Sequence, residues 1–146
     1  MKYELLIDAT YLEPKVIIYS AELSTEVTRL VQFLNQQDQP LLTGRLHHQL
    51  VILDIADIVH LYALDKKVYA ATLTANYELN IRLYEAENYL NAPQFVRISR
   101  SEIINLKQVQ YFDVHFNGTI LVQLKNGVTT YVSRRYLGKL KQILGR

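Results

Sequence analysis

The chain contains no cysteine, one methionine, three prolines and five glycines in 146 residues. Without cysteine there is no disulfide framework, no thiolate metal site and no thiol nucleophile. The opening "MKYELLID" lacks the basic start and unbroken apolar stretch of a secretory signal. The most apolar run, "LVILDIADIVHLYAL", is 15 residues long and carries Asp54 and Asp57 inside it, too short and too acidic to span a bilayer. These absences point to a soluble, cytoplasmic protein. Catalytic signatures are missing too: there is no G-x-S-x-G, no P-loop and no G-x-G-x-x-G. His47 and His48 are adjacent, His60 lies in an apolar run as a satisfied core or edge residue, and His115 falls near a turn; none has the spacing or companion carboxylates of a metal site. Asp54 and Asp57 read as the cap of a short turn. No nucleophile, base and orienting group can be assembled, so neither an enzyme nor a cofactor or metal is expected.

Acidic residues are also scarce where it matters. Residues 1–46 hold four Lys/Arg against six Asp/Glu, and residues 47–96 hold three against six. Residues 97–146 hold nine against two, so the whole positive excess of a chain with net charge +2 lies in its last third. That asymmetry suggests a surface facing a polyanion. With 49% apolar and 21% charged residues the chain is otherwise an ordinary globular protein.

Two strand-like segments, "KYELLI" and "KVIIYS", open the chain. Ser24 is then positioned to cap a helix whose Val27, Leu30, Val31 and Leu34 share one face. "NQQDQP" reads as a loop closing it. Residues 1–45 thus form a small β-β-α unit, too small to be stable alone, which has to pack on the rest or on a second copy. From residue 46 the pattern becomes many short strands. "QLVILDI" and "IVHLYAL" lead to a turn at Asp65-Lys66-Lys67, followed by "VYAATL" and "NYELNI". A short helix carries Leu83, Ala86 and Leu90, and then come "FVRIS", "EIINL" and "VQYFDVHF". Asn117-Gly118 and Asn126-Gly127 separate further alternating runs, a hairpin signature that calls for positive φ at both turn residues. A last helix presents Tyr136, Leu140, Ile143 and Leu144 inward. The class is mostly β and antiparallel, with short helices. The eleven tyrosines alternate with polar residues and read as strand formers, not as base-stacking platforms.

Two basic motifs break local rules. If Ser133 caps the last helix, Arg134 and Arg135 occupy its first turn, where the helix already carries partial positive charge and a cation is disfavoured by about 0.3–1 kcal/mol. The arrangement makes sense if an anion is to be met there by free N–H groups, a hydroxyl and guanidiniums. In "FVRISRS" the alternation puts Val96 and Ile98 on one face and Phe95, Arg97 and Ser99 on the other, with Arg100 and Ser101 on the following connection. Lys66 and Lys67 offer a third basic tip. Three such tips on a β scaffold suit a reader that dips loops into duplex DNA.

The motifs "IADIVHLYALDKKVYAATLTANYELNIRLYEAENYL", "FVRISRSEIINLKQVQYF", "FNGTILVQLKNG" and "YVSRRYLGKLKQIL", in this order and spacing, resemble the LytTR-type DNA-binding domain of bacterial regulators over about residues 47–144. The resemblance implies an elongated antiparallel β-sheet domain over residues 46–146. It also implies loops that read direct-repeat DNA in successive major grooves and the minor groove between them. Carried across by motif, Lys66 and Lys67 supply one major-groove contact, Ser99, Arg100 and Ser101 the central contacts, and Ser133, Arg134 and Arg135 the second major-groove contact. Where many members carry an amide or a histidine-rich pattern at the central tip, Ser-Arg-Ser here suits a narrow, electronegative groove. The resemblance is to short stand-alone forms without a receiver domain, so control by aspartyl phosphate is not expected. It implies a transcriptional regulator with a small membrane protein as a partner, and the N-terminal unit, residues 1–45, is expected to join two copies as a homodimer. The rival readings are a protein-interaction module docking an acidic partner through its basic face and, third, an RNA binder selecting single strands.

Overall fold

The computed structural model describes residues 1–37, 41–90 and 92–145, with the backbone alone for 36 and 37. The chain divides into two compact units, Met1–Asp38 and Gln39–Arg146.

The first unit holds helix α1, Thr25–Gln37. Its start follows from Ser24, whose Oγ accepts from the Val27 amide at 3.2 Å as an N-cap should. The strands expected within residues 2–7 and 15–20 are a correction: neither is a hydrogen-bonded strand. A pair of short strands with no third strand or helix to cover its face is marginal in water, and Tyr3, Leu6, Ile7 and Tyr19 are each more than four-fifths exposed. The loop expected over residues 35–40 is a correction in its first half, because Asn35, Gln36 and Gln37 continue α1; residues 38–40 lie outside the described residues.

The second unit is antiparallel throughout. Its strands are β1 Thr43–Leu46, β2 Gln49–Ile52, β3 His60–Leu64, β4 Lys67–Ala71, β5 Asn76–Leu79, β6 Phe95–Ser99 and β7 Glu102–Asn105, forming one sheet in the order β2-β1-β5-β4-β3-β7-β6. A second sheet, β10-β9-β8, is built from β8 Val109–Val114, β9 Ile120–Leu124 and β10 Thr129–Tyr131. Helices α2, Leu83–Tyr89, and α3, Arg134–Ile143, complete the unit. The large sheet begins at Thr43, so residues 43–45, grouped by sequence with the N-terminal unit, pair within it.

Two cores sit on opposite faces of the large sheet. Leu61, Val68, Ala70, Leu79 and Ile103 pack with Leu83, Ala86 and Leu90 from the region of α2. On the other face Val59, Val96, Ile98 and Ile104 pack with Ile120, Val122 and Leu124 of the small sheet and Leu140 of α3. Consecutive Ile103 and Ile104 therefore enter different cores, and "EIINL" is buried on both faces instead of alternating. Asn105, 1% exposed, joins the layers: its Nδ2 donates to the Ile58 carbonyl at 2.8 Å and its Oδ1 accepts from the Lys107 amide at 3.0 Å. The inner stripe of α3 differs from expectation. Leu140 is buried with Tyr136 and Leu137 against it, while Ile143 and Leu144 remain 45% and 39% exposed.

The hairpin chemistry also departs from the expected pattern. Asn117 and Asn126 keep negative φ, and only Gly118 and Gly127, at φ 86° and 89°, are left-handed. Each asparagine Oδ1 instead accepts an amide two residues on, from Thr119 and Val128, giving a type I turn closed by a left-handed glycine. The two-residue turn with both φ positive is Asp65-Lys66, at 52° and 65°.

Candidate nucleic-acid interface

The backbone brings the sequence-selected tips to one end of the large sheet. The β3–β4 turn at Asp65-Lys66 is anchored by the Leu64–Lys67 pair. Beside it, the Ser101 carbonyl accepts from the Ala63 amide at 2.8 Å, so the β6–β7 connection abuts β3 two residues before that turn. The Ser133 amide donates to the Ile98 carbonyl at 2.9 Å, which starts α3 next to Ser99. Three segments distant in sequence thus meet through two backbone hydrogen bonds.

Their side chains differ in availability. Lys66, Arg100, Arg134 and Arg135 are exposed and, among the described residues, have no carboxylate within ion-pair distance. Arg135 places its guanidinium carbon 5.9 Å from the Tyr136 ring centroid. Lys67 is not a turn residue: it is the first residue of β4, and its Nζ lies 3.6 Å from Glu78 Oε1. Both partners are well exposed, so that pair contributes little. Ser133 stands at the N-cap of α3 with extended backbone, but its hydroxyl makes no capping bond, leaving the first-turn N–H groups without a side-chain acceptor.

The central tip is organised from within. Strand β6 carries a bulge between Arg97 and Ser99, so Ile98 is the extra residue and the chain bends as it enters the connection. Ser99 Oγ accepts from the Ser101 amide at 3.2 Å and lies 3.4 Å from Ser101 Oγ. Arg97 points to the α2 face, as the alternation predicts. Its Nε donates to the Ser99 carbonyl at 2.7 Å, one terminal nitrogen donates to the Arg100 carbonyl, and the other pairs with Glu87 of α2 at 2.7 Å. Sequence reading placed Arg97 on the right face without giving it a role. The available signal was its place on the face shared with Phe95, before the exposed connection.

A polar contact links the two sheets behind the tips. Glu102 accepts from the Thr130 hydroxyl of β10 at 2.8 Å, and its other oxygen is 3.7 Å from His60 Nδ1. His60 is only 4% exposed, as expected, but it is not satisfied: neither ring nitrogen has a hydrogen-bond partner among the described residues. Its ring stacks on Tyr62, which stacks on Tyr69 across the strand pair, each at 5.2 Å between centroids. Burial raises the Tyr62 phenol above its ordinary value, with the neighbouring Tyr69 adding to the effect.

A model of the LytTr DNA-binding domain matches residues 48–145. HTH-type transcriptional regulators of Staphylococcus aureus strains NCTC 8325 and COL are each 34% identical to this chain over 146 residues, covering 99% of it and 98% of their own length. In the present chain every pair of successive helices among the described residues is separated by strands. The LytTr DNA-binding domain of a methyl-accepting/DNA response regulator from Bacillus cereus superposes with a TM-score of 0.67 at 24% identity, covering 74% of this chain and 99% of that one. The antiparallel fold with short helices and these likenesses agree, and the chain belongs to the LytTr DNA-binding domain family.

Proposed function

We propose that this protein is a sequence-specific, DNA-binding transcriptional regulator of the cytoplasm that reads direct-repeat duplex through its basic tips. Arg134 and Arg135 at the start of α3 enter one major groove. Ser99, Arg100 and Ser101 meet the minor groove beside it, and Lys66, with Lys67 behind it, meets the next turn of the duplex. The observation that carries this reading is the meeting of the three segments at one sheet end, with four cations there free of carboxylates among the described residues. An α-helix start with uncapped N–H groups and two guanidiniums is disfavoured by itself and favoured against phosphate or a guanine edge. Among the described residues no helix is long and apolar enough to cross a membrane.

The working form is a homodimer joined through the N-terminal unit. None of the side chains of residues 1–35 is fully buried, and Leu5, Ile7, Val16 and Phe33 are all more than half exposed. A second copy can supply the strand partners and apolar cover that one copy lacks. Two domains side by side then read repeats separated by whole turns of about 10–10.5 base pairs. A small membrane protein remains the further partner that the family resemblance suggests.

The test is a titration of the full chain against duplex enriched from a random-sequence pool and against a scrambled version. Arg135→Ala is expected to cost about 1–3 kcal/mol on the enriched duplex and far less on the scrambled one. Equal affinity of the wild-type chain for both duplexes at physiological salt would instead favour a module that docks acidic partners.

A further inference from the structure

We propose that Arg97 is the positioning residue of the Ser99–Ser101 tip, a role that rests on the reading of that tip as a DNA contact. The side chain is four-fifths buried, and the three guanidinium nitrogens are all engaged: two on the successive carbonyls of Ser99 and Arg100, one on Glu87. Its charge is therefore compensated within the protein, unlike that of Arg100, which is exposed with no carboxylate within ion-pair distance among the described residues.

The chemistry of the tip explains why such a clamp matters. The bulge leaves Ile98 unpaired and the ladder closes at Ser99 opposite Glu102, so the chain turns at once and the Arg100 carbonyl lies outside the ladder, where it would otherwise be free to turn outward. Carbonyl oxygens facing a duplex meet phosphate oxygens and the acceptor-rich floor of the minor groove, and both repel them. Arg97 draws the Arg100 oxygen inward and also binds that of Ser99. With the carbonyls held on the α2 side, the Arg100 side chain and the Ser99 and Ser101 hydroxyls are what remains to face outward. The rigid planar fork is essential, because an ammonium cannot span two carbonyls and a carboxylate with fixed geometry. Glu87 orients the fork from α2, so the helix that covers one core also sets the pose of the tip.

The experiment uses the full chain, the duplex enriched from a random-sequence pool by the wild-type protein, and its scrambled version, across a series of salt concentrations. Arg97→Gln is expected to weaken binding to the enriched duplex on the order of tenfold for each of the two tip residues that must then be ordered on binding. Scrambled duplex should bind within about twofold of wild type, and the slope of log affinity against log salt should stay unchanged, because no phosphate contact is removed. A thermal melt run alongside separates loss of the tip from loss of the fold. Should Arg97→Gln fail to fold, Arg97→Lys carries the test, with the same loss expected despite its retained charge. Arg97→Lys binding like the wild type would overturn the inference, since the fork would then be dispensable. So would an equal loss on both duplexes with the slope reduced by about one, which would make Arg97 a phosphate contact in its own right. Arg100→Ala tests the underlying reading separately. A wild-type slope in Arg100→Ala retires Arg100 as a contact, whereas wild-type affinity in Arg97→Gln overturns the positioning role whatever Arg100→Ala does.

Discussion

Replacing Lys66 with glycine should raise stability and weaken DNA binding at once. Lys66 sits at φ 65° directly after Asp65 at φ 52°, and an L-residue in that region costs about 1–2 kcal/mol. Glycine removes the steric cost but loses about 0.5–1 kcal/mol more backbone entropy on folding. The balance favours Lys66→Gly by roughly 0.5–1 kcal/mol, which for a folded unit of this size corresponds to a melting temperature higher by about 2–6 °C. The Lys66 side chain has no ion-pair partner among the described residues, so no compensating contact is lost. On duplex DNA the same change should lower affinity for enriched and scrambled sequences alike and flatten the salt slope by about 0.9 for one phosphate contact. Differential scanning calorimetry and fluorescence anisotropy at several salt concentrations read the two effects on one preparation. A lower melting temperature would refute the strain argument, and an unchanged salt slope would refute the phosphate contact. Opposite signs in the two assays are what a strained residue kept for binding should give.

Other perturbations test the scaffold that holds the tips. A Cβ on Gly44 would lie 2.6 Å from Tyr77 Cβ and 2.9 Å from Leu53 Cδ1, so Gly44→Ala should destabilise by about 1–3 kcal/mol in chemical denaturation. Asn105→Ala leaves the Ile58 carbonyl and the Lys107 amide without their side-chain partner, and a loss of roughly 1–3 kcal/mol is expected; a loss below 0.5 kcal/mol would show that neither group depends on it. The pKa of Tyr62 is raised in the folded state, so the fold binds that proton more tightly than the unfolded chain does. Its contribution is complete below the ordinary phenol value near 10 and declines as pH rises from there through the elevated value. Tyr62→Phe should accordingly reduce the alkaline loss of stability in melts above pH 10, and identical alkaline curves would contradict the burial argument.

Local pattern was informative wherever one face or one cap governs the outcome. Period-two alternation placed Val96 and Ile98 opposite Arg97, and the Ser24 cap and the Leu83-Ala86-Leu90 spacing located helices that the structure contains. Asp54 caps the turn expected of it, accepting from the Ala56 amide at 3.0 Å. The breach of helix electrostatics at Arg134 and Arg135 singled out the start of α3 before any geometry was known. Local pattern failed where partners are distant. "KYELLI" and "KVIIYS" have strand composition, but composition supplies no ladder partner, and both are unpaired. The short strand β1 was missed because "TGRL" has almost no alternation and is held by its neighbours β2 and β5.

Sequence by itself therefore determined the class of this protein, the starts of its first and last helices and the identity of the residues that break local rules. Only the tertiary structure decided which of those residues act together. A backbone hydrogen bond such as Ser133 to Ile98 spans 35 positions and leaves no periodic trace, because its two ends are ordinary residues made neighbours by strand order alone. The same holds for charge: Arg97 and Arg100 are chemically identical three positions apart, and the carboxylate of Glu87 on a packed helix makes one a support for the tip and leaves the other facing out.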